Sequence, residues 1–231
     1  MQHEIDWTPE RVRRFWDYMG GTPGFEDLYF AKRSGPALVK YVASKIRIGT
    51  AVDMGCGRGD LLQLLLDRGY DAYGADQSQA SVDAVNARFE VNPRFHGAVV
   101  GGAALHDAIA DTVFMLEVVE HMDDAALTEA LGDARRVLKT GGHLVLTTPN
   151  DEDLQAAKRM CPECGAVFHQ MQHVRSWTAE SLSQFLATLG FKRRSAKATV
   201  LSSHSGLMGI AHKLRYTGRK CPNLVYIGVK S

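Results

Sequence analysis

The residues with the most chemistry per position lie in Val52-Asp53-Met54-Gly55-Cys56-Gly57-Arg58-Gly59-Asp60. Glycines where a strand turns into a helix let backbone amides approach a bound molecule closely. The spacing is Gly-x-Gly-x-Gly. A pyrophosphate-binding dinucleotide loop needs Gly-x-Gly-x-x-Gly, so a nicotinamide site is disfavoured. Asp53 precedes the first glycine. A carboxylate there repels phosphate but can hold an ammonium group, directly or through water. Asp76, followed by Gln77, closes the next apolar run, where an acid can accept ribose hydroxyls. A tight turn and a surface acid are the plain alternative. An ammonium, a ribose and no phosphate describe S-adenosylmethionine.

A second group is Glu117, Glu120 and His121 in Met115-Leu116-Glu117-Val118-Val119-Glu120-His121-Met122. If that turn is helical, the three share one face. Two carboxylates and an imidazole suit Mg, Mn or Zn. His121 could instead be a general base for an acceptor hydroxyl, or the set could only shape a pocket. A third group is Cys161, Cys164, His169 and His173, spaced Cys-x2-Cys-x4-His-x3-His. It could close a tetrahedral zinc site if the chain folds back; otherwise it is a reduced cysteine pair with two nearby histidines. The two metal readings compete for His173.

These residues need elements to position them. Thr8-Pro9-Glu10 reads as a helix start, with the helix stopping at Gly20-Gly21. A second helix is expected over 35–46. Strands then alternate with helices: strand 50–54, helix 60–68, strand 71–75, helix 78–90, strand 95–100, a weak helical stretch to 109, strand 111–118, helix 124–138 and strand 143–148. Such alternation predicts a doubly wound α/β fold, a mostly parallel sheet covered on both faces. Ligands then bind beyond the carboxyl ends of the strands. The pattern lapses over 151–177. A helix over 178–189 and strands over 191–201 and 223–230 follow, the last antiparallel, with a loop or lid over 202–222. Residues 1–48 read as a helical lid. Residues 49–231 read as the main domain, with 151–177 as an insertion.

The 231 residues give room for one large domain. Lys plus Arg total 27 against 26 Asp plus Glu, so no global charge marks a nucleic-acid or membrane binder. Basic clusters at Lys192-Arg193-Arg194 and at Lys213, Arg215, Arg219 and Lys220 read first as solvated faces and could also attract an acidic acceptor or an RNA end. Four cysteines do not make a disulfide scaffold at this length. No apolar run approaches the roughly 20 residues of a membrane span, and no signal peptide is visible. A cytoplasmic location without membrane insertion is expected.

From 50 to 150 the sequence resembles the class I S-adenosylmethionine-dependent methyltransferases. The resemblance rests on Val52–Gly59, Tyr73-Gly74-Ala75-Asp76, the strand over 111–118, and Val137-Leu138-Lys139-Thr140-Gly141-Gly142-His143-Leu144-Val145-Leu146-Thr147-Thr148-Pro149-Asn150. It implies a seven-stranded sheet and a methyl-transfer enzyme. Asp53, Gly55, Gly57 and Gly59 would hold the methionine part, Asp76 the ribose with Gln77 beside it as a further cofactor-binding residue, and Leu105 and Leu116 would flank the adenine. Tyr29 would lie in a lid over the cofactor. Gly101-Gly102 stand where many members have an acid that reads the adenine amino group. The Glu-x-x-Glu-His pattern is similar to that of ubiquinone-pathway O-methyltransferases and of small-RNA 3′-end 2′-O-methyltransferases. In those families it is linked to a divalent metal, and it also occurs in many metal-free small-molecule methyltransferases. The RNA-end family also has a histidine placed like His173 in His173-Val174-Arg175-Ser176-Trp177-Thr178. The expected activity is methyl transfer to O, N or C of a small molecule, with His121 as leading catalytic residue. Alternatives are a metal-dependent 2′-O-methyltransferase on an RNA end and a non-catalytic, zinc-stabilised binding module.

Overall fold

A computed structural model describes residues 2–22, 24–201, 216 and 220–231. The first elements are β1 (His3–Glu4), α1 (Pro9–Gly21) and α2 (Phe30–Ala43). Thr8 caps α1, its side chain accepting the Arg11 N–H at 3.4 Å. That helix continues through both glycines expected to stop it. The second helix starts earlier than its Gly-Pro signal and carries Pro36 inside it. Proline removes one backbone bond there, and burial of Leu38, Val39 and Val42 offsets the loss.

The alternation follows: β2 (Ala51–Met54), α3 (Asp60–Leu66), β3 (Ala72–Asp76), α4 (Gln79–Phe89), β4 (Phe95–Val100), β5 (Ala110–Leu116), α5 (Asp124–Val137) and β6 (Leu138–Pro149). The helical stretch expected before 109 is one 3-10 turn, Gly102–Ala104. After β6 come the short β7 (Lys158–Met160) and β8 (Ala166–His169), then α6 (Ala179–Thr188), β9 (Phe191–Thr199) and β10 (Asn223–Lys230).

The main sheet has seven strands in the order β4-β3-β2-β5-β6-β10-β9. Its neighbours are parallel except at β10, which is antiparallel to both β6 and β9. Alternate strand residues feed opposite faces, because side chains along a strand have a period of two. Ala51, Phe114 and Val145 join the core under α2, α3 and α4. Val52, Val113 and Leu144 join the one under α5 and α6. Each fully buried Leu or Val contributes about 1.5–3 kcal/mol. Both faces of the central strands are therefore dry, as a parallel sheet requires.

From β2 the chain order runs to β3 on one side and to β5 on the other. The crevice at this reversal is where doubly wound sheets bind ligands. A second, three-stranded sheet has the order β1-β8-β7. It turns the patternless 151–177 segment into a hairpin, and β1 ties the amino-terminal arm to that hairpin.

The cluster Lys192-Arg193-Arg194 is exposed, as a solvated face would be, and does not reach the ligand crevice. Arg193 pairs with Gly228, and Gly228 with Leu144 near the start of the regular pairing in β6. Thr147 and Thr148 lie at the other end of that strand, about 10 Å or more away at ~3.3 Å per residue. The cluster therefore sits toward the amino ends of the parallel strands, away from the ligand crevice. Arg193 instead pairs with Glu180 at 3.3 Å, and Arg194 donates to the Lys45 carbonyl at 3.0 Å. Lys213, Arg215 and Arg219, with most of the lid expected over 202–222, lie outside the described residues. Lys220 forms an ion pair with Asp151 at 2.6 Å. Among the described residues, no helix is long and apolar enough to cross a membrane.

Candidate active site

The glycine loop leaves β2 with Gly55, Gly57 and Gly59 at φ +86°, +48° and +81°. These left-handed values favour glycine. The Gly55 and Cys56 amides donate to the Ala75 carbonyl at 2.8 and 3.1 Å, docking the loop on β3. A Cβ on Gly55 would stand 2.6 Å from Val118, and one on Gly59 would stand 2.8 Å from Phe89. A Cβ on Gly57 would meet nothing within 4 Å, so this is the loop's open face.

Asp76 ends β3 and turns into that crevice. Its Oδ2 accepts the Gly57 N–H at 2.8 Å and its Oδ1 accepts the Ser78 N–H at 2.9 Å. Each oxygen keeps a lone pair for a ribose hydroxyl. Asp53 is almost fully buried. Burial, with repulsion from Asp76 and Asp60, pushes its carboxyl up to about 8. A nearby ammonium would relieve that strain. Burial also pushes the Cys56 thiol well up, so it is unreactive. Gln77 is exposed beside Asp76. Tyr29 is half-buried at the start of α2, its ring edge-on to Phe25 at 5.6 Å.

The expected adenine flank divides. Leu105 belongs to the apolar cluster under α5 and α6, whereas Leu116 packs against the opposite one. Sequence reasoning missed Arg136. Its guanidinium donates to the Leu105 carbonyl at 2.7 Å and the Gly102 carbonyl at 2.9 Å, and pairs with Asp133 at 3.1 Å. That fixes the turn after β4. The Gly101 amide donates to the Asp76 carbonyl at 3.0 Å, so this turn is tied to the end of β3 as well. No periodic signal marks an arginine reaching back about 30 residues.

Next to the glycine loop lies the acid–histidine group. Glu117 follows β5 at φ +53°, a conformation that costs a non-glycine residue about 1–3 kcal/mol. Glu120 is buried. Among the described residues, Glu117 Oε1, both Glu120 carboxylate oxygens and His121 Nδ1 are out of water without a well-formed hydrogen bond. Burial pushes Glu117 up to about 7, with the Thr147 hydroxyl opposing and Glu152 adding repulsion. Burial and then Glu117 push Glu120 well above the usual carboxylate range. Burial and the neighbouring His173 drive His121 down to about 3. His121 is thus neutral at pH 7.

The 169–175 segment closes over this group. Gln172, fully buried at φ +59°, donates to the His121 carbonyl at 2.9 Å and accepts the Trp16 indole N–H at 3.0 Å. The Val174 amide donates to the Glu120 carbonyl at 2.9 Å. Trp16 of α1 meets the His121 ring edge-on, centroids 4.9 Å apart. Ligand atoms of Glu120, His121 and His173 lie within 4.8 Å of one another, as do those of Glu152, His169 and His173. Glu117 stands outside both trios.

The set Cys161, Cys164, His169 and His173 does not assemble. Both cysteines occupy the turn of the β7–β8 hairpin, where the Cys161 amide donates to the Ala166 carbonyl at 2.8 Å. His169 ends β8, three residues beyond Ala166. An extended strand separates those positions by about 10 Å at ~3.3 Å per residue. The chain does not fold back within the motif as closure required. His169 and His173 pair with Glu152 instead, at 3.4 and 2.5 Å.

Buried carboxylate and imidazole atoms without hydrogen-bond partners are a donor set that fits a divalent cation. Glu120, His121 and His173 would supply the ligands, with Glu117 beside them.

The family model described as a methyltransferase domain matches residues 28–196. A ubiquinone biosynthesis O-methyltransferase of Alkalilimnicola ehrlichii is 28% identical over 155 residues, 64% of this chain and 60% of that one. A small RNA 2′-O-methyltransferase of Arabidopsis thaliana is 27% identical over 190 residues, 71% of this chain and 20% of that one. The chain thus spans less than two thirds of the first relative and a fifth of the second. Among solved structures, the 1,6-didemethyltoxoflavin-N1-methyltransferase of Burkholderia thailandensis, with bound S-adenosylhomocysteine, superposes with a TM-score of 0.68. Its identity is 15%, with 99% of this chain and 93% of that one covered, so it shows the fold alone. Family match, sheet order and glycine loop agree: the chain belongs to the methyltransferase-domain family, the class I S-adenosylmethionine-dependent methyltransferases.

Proposed function

We propose that this chain transfers the sulfonium methyl of S-adenosylmethionine to a hydroxyl oxygen of a small-molecule acceptor, using a divalent cation held by Glu120, His121 and His173 with Glu117 beside them. The observation that carries this reading is the set of unsatisfied buried atoms on Glu117, Glu120 and His121. It lies directly beside the glycine loop, because Gly55 packs against Val118 of the same turn. A bound cation of this kind would acidify an oxygen acceptor that touches it.

The chain's own residues do the rest. The glycine loop and Asp53 hold the amino-acid part of the donor, and Asp76 holds the ribose. This alignment lets the oxygen attack in line with the departing sulfur. The carbon–sulfur bond breaks, a carbon–oxygen bond forms, and the hydroxyl proton leaves to solvent. His121 is too weak a base at neutral pH to take that proton efficiently, which supports a ligand role over the general-base role. Trp16 and the 169–175 segment keep water out, consistent with residues 1–48 acting as a lid. Tyr29 is assigned to the same cover, and Leu105 and Leu116 to the adenine end. A cytoplasmic location belongs to the same proposal.

A second reading, methylation of an RNA 3′ end, is favoured by the plant small-RNA relative, which aligns over 190 residues. A terminal ribose with its two hydroxyls offers the same oxygen chemistry. The test is methyl transfer from labelled donor to a catechol and to a short RNA, with and without chelator. Chelator should abolish transfer, and added Mg or Mn should restore it. Full activity in chelator overturns the metal reading, label in RNA selects the second reading, and no turnover with any acceptor pool leaves a binding module.

A further inference from the structure

His173 is the residue that the two ligand groups share, and its environment fixes which nitrogen does what. Its Nδ1 lies 2.5 Å from Glu152 Oε2. A carboxylate there accepts a proton from Nδ1–H, which leaves the Nε2 lone pair for the Glu120–His121 side. The His121 and His173 ring centroids are 4.8 Å apart.

Glu152 is itself held. His169 Nδ1 accepts the Met171 and His173 amides at 3.2 and 3.1 Å. The His169 proton therefore resides on Nε2, which faces Glu152 Oε1 at 3.4 Å. The His169 ring stacks on His173 at 4.5 Å with an interplanar angle of 20°. His173 makes the close hydrogen bond to one carboxylate oxygen of Glu152, and His169 stands 3.4 Å from the other without a well-formed hydrogen bond. Histidines 169 and 173 are buried or nearly so, while Glu152 keeps about a quarter of its side chain exposed.

The geometry points to Glu152 as a positioning residue. It fixes the tautomer and the ring orientation of His173, with His169 bracing it, so that His173 Nε2 is presented to the cation site. This rests on the metal reading above. A carboxylate behind a ligating histidine raises its basicity, and losing such a partner typically weakens metal affinity about 10–100-fold. Sequence placed His169 in a zinc knuckle and gave Glu152 no role. In the fold Glu152 sits just after β6, where the strand ends at the mouth of the crevice.

The test is Mn2+ binding by the full chain, followed by electron paramagnetic resonance, with S-adenosylmethionine affinity measured on the same samples. Wild type should bind one Mn2+. Glu152→Ala should lose at least ten-fold in Mn2+ affinity and keep its S-adenosylmethionine affinity. Glu152→Gln still offers an amide oxygen to Nδ1–H and should recover most of the Mn2+ affinity. A proton–nitrogen spectrum of the metal-free protein should show a hydrogen-bonded His173 Nδ1–H that Glu152→Ala removes. Equal Mn2+ affinity in wild type and Glu152→Ala overturns the positioning role but leaves the metal reading standing. Two Mn2+ per chain, one of them lost in both variants, would make Glu152 a ligand and overturn it too. Absence of any Mn2+ binding by wild type overturns the metal reading and this inference together.

Discussion

The Asp76 carboxylate accepts the Gly57 amide at 2.8 Å, so the acid ending β3 and the loop leaving β2 form one unit. A ribose held by that carboxylate is therefore placed at a fixed distance from the glycine loop. Replacing Asp76 with Ala removes the proposed ribose acceptor and frees the Gly57 amide. Its S-adenosylmethionine affinity should fall about ten-fold or more, since the ribose hydroxyls lose their partner. Calorimetric titration checks this, and unchanged affinity refutes the ribose assignment.

The three loop glycines should behave differently. Gly57→Ala places its Cβ in open space and pays only the left-handed φ penalty, about 1–2 kcal/mol. Its main loss should be in donor affinity. Gly59→Ala pushes a Cβ to 2.8 Å from Phe89 and so strains the α3–α4 packing as well. Urea unfolding should find Gly59→Ala the less stable of the two. If Gly57→Ala binds the donor as wild type does, the open face is not where the ligand approaches.

Asp53 should link donor binding to pH. Burial raises its folded carboxyl to about 8, far above its unfolded value. In the free protein at pH 7 it therefore mostly holds a proton. An arriving ammonium favours the ionised form, so a proton leaves on binding. Affinity should rise between about pH 6 and 8, and the binding enthalpy at pH 7 should vary with buffer ionisation enthalpy. The same raised value means that free-protein stability falls as pH climbs from the unfolded carboxylate value through about 8. Asp53→Asn should remove both dependences and weaken binding. Buffer-independent binding enthalpy in the wild type would count against the ammonium assignment.

Metal content should ignore the hairpin cysteines. The backbone amides of Cys164 and Glu163 lower the Cys161 thiol below its ordinary value, yet no histidine comes within ligand range of it in a described metal group. Cys161→Ser should keep wild-type metal content by elemental analysis, and His173→Ala should lose it. Loss of zinc in Cys161→Ser would restore the knuckle.

Much of the framework was legible. Every strand of the main sheet has its counterpart in the sequence pattern. The central β2, β5 and β10 are buried and read as apolar runs bounded by turns, whereas the partly exposed edge strands β4 and β9 are marked by their place between helices and turns. Asp124–Val137 was legible from its stripe of Leu127, Leu131 and Ala134. The short strands β1, β7 and β8, of two to four residues, were not. A segment that short has no measurable period, and its pairing partner decides it. The start of α2 at Phe30 was hidden for the same kind of reason. Gly35-Pro36 looks like a beginning, but packing on α3 carries the helix through it.

By itself the sequence determined the alternating α/β pattern and put the loop glycines, Asp53 and Asp76 at the ends of β2 and β3. It also put Glu117, Glu120 and His121 in one turn, but that turn is not helical, and Glu117, at φ +53°, shares no face with the other two. These are local matters of side-chain period and turn chemistry within a few residues. Only the tertiary structure decided that Glu152, His169 and His173 close on Glu120 and His121, that Trp16 covers them, and that Cys161 and Cys164 stay away from the two histidines. It also turned Lys192-Arg193-Arg194 away from the crevice. Those outcomes depend on strand register, on the direction of an antiparallel pair and on hydrogen bonds spanning 50 to 150 residues, none of which leaves a mark at fixed spacing along the chain.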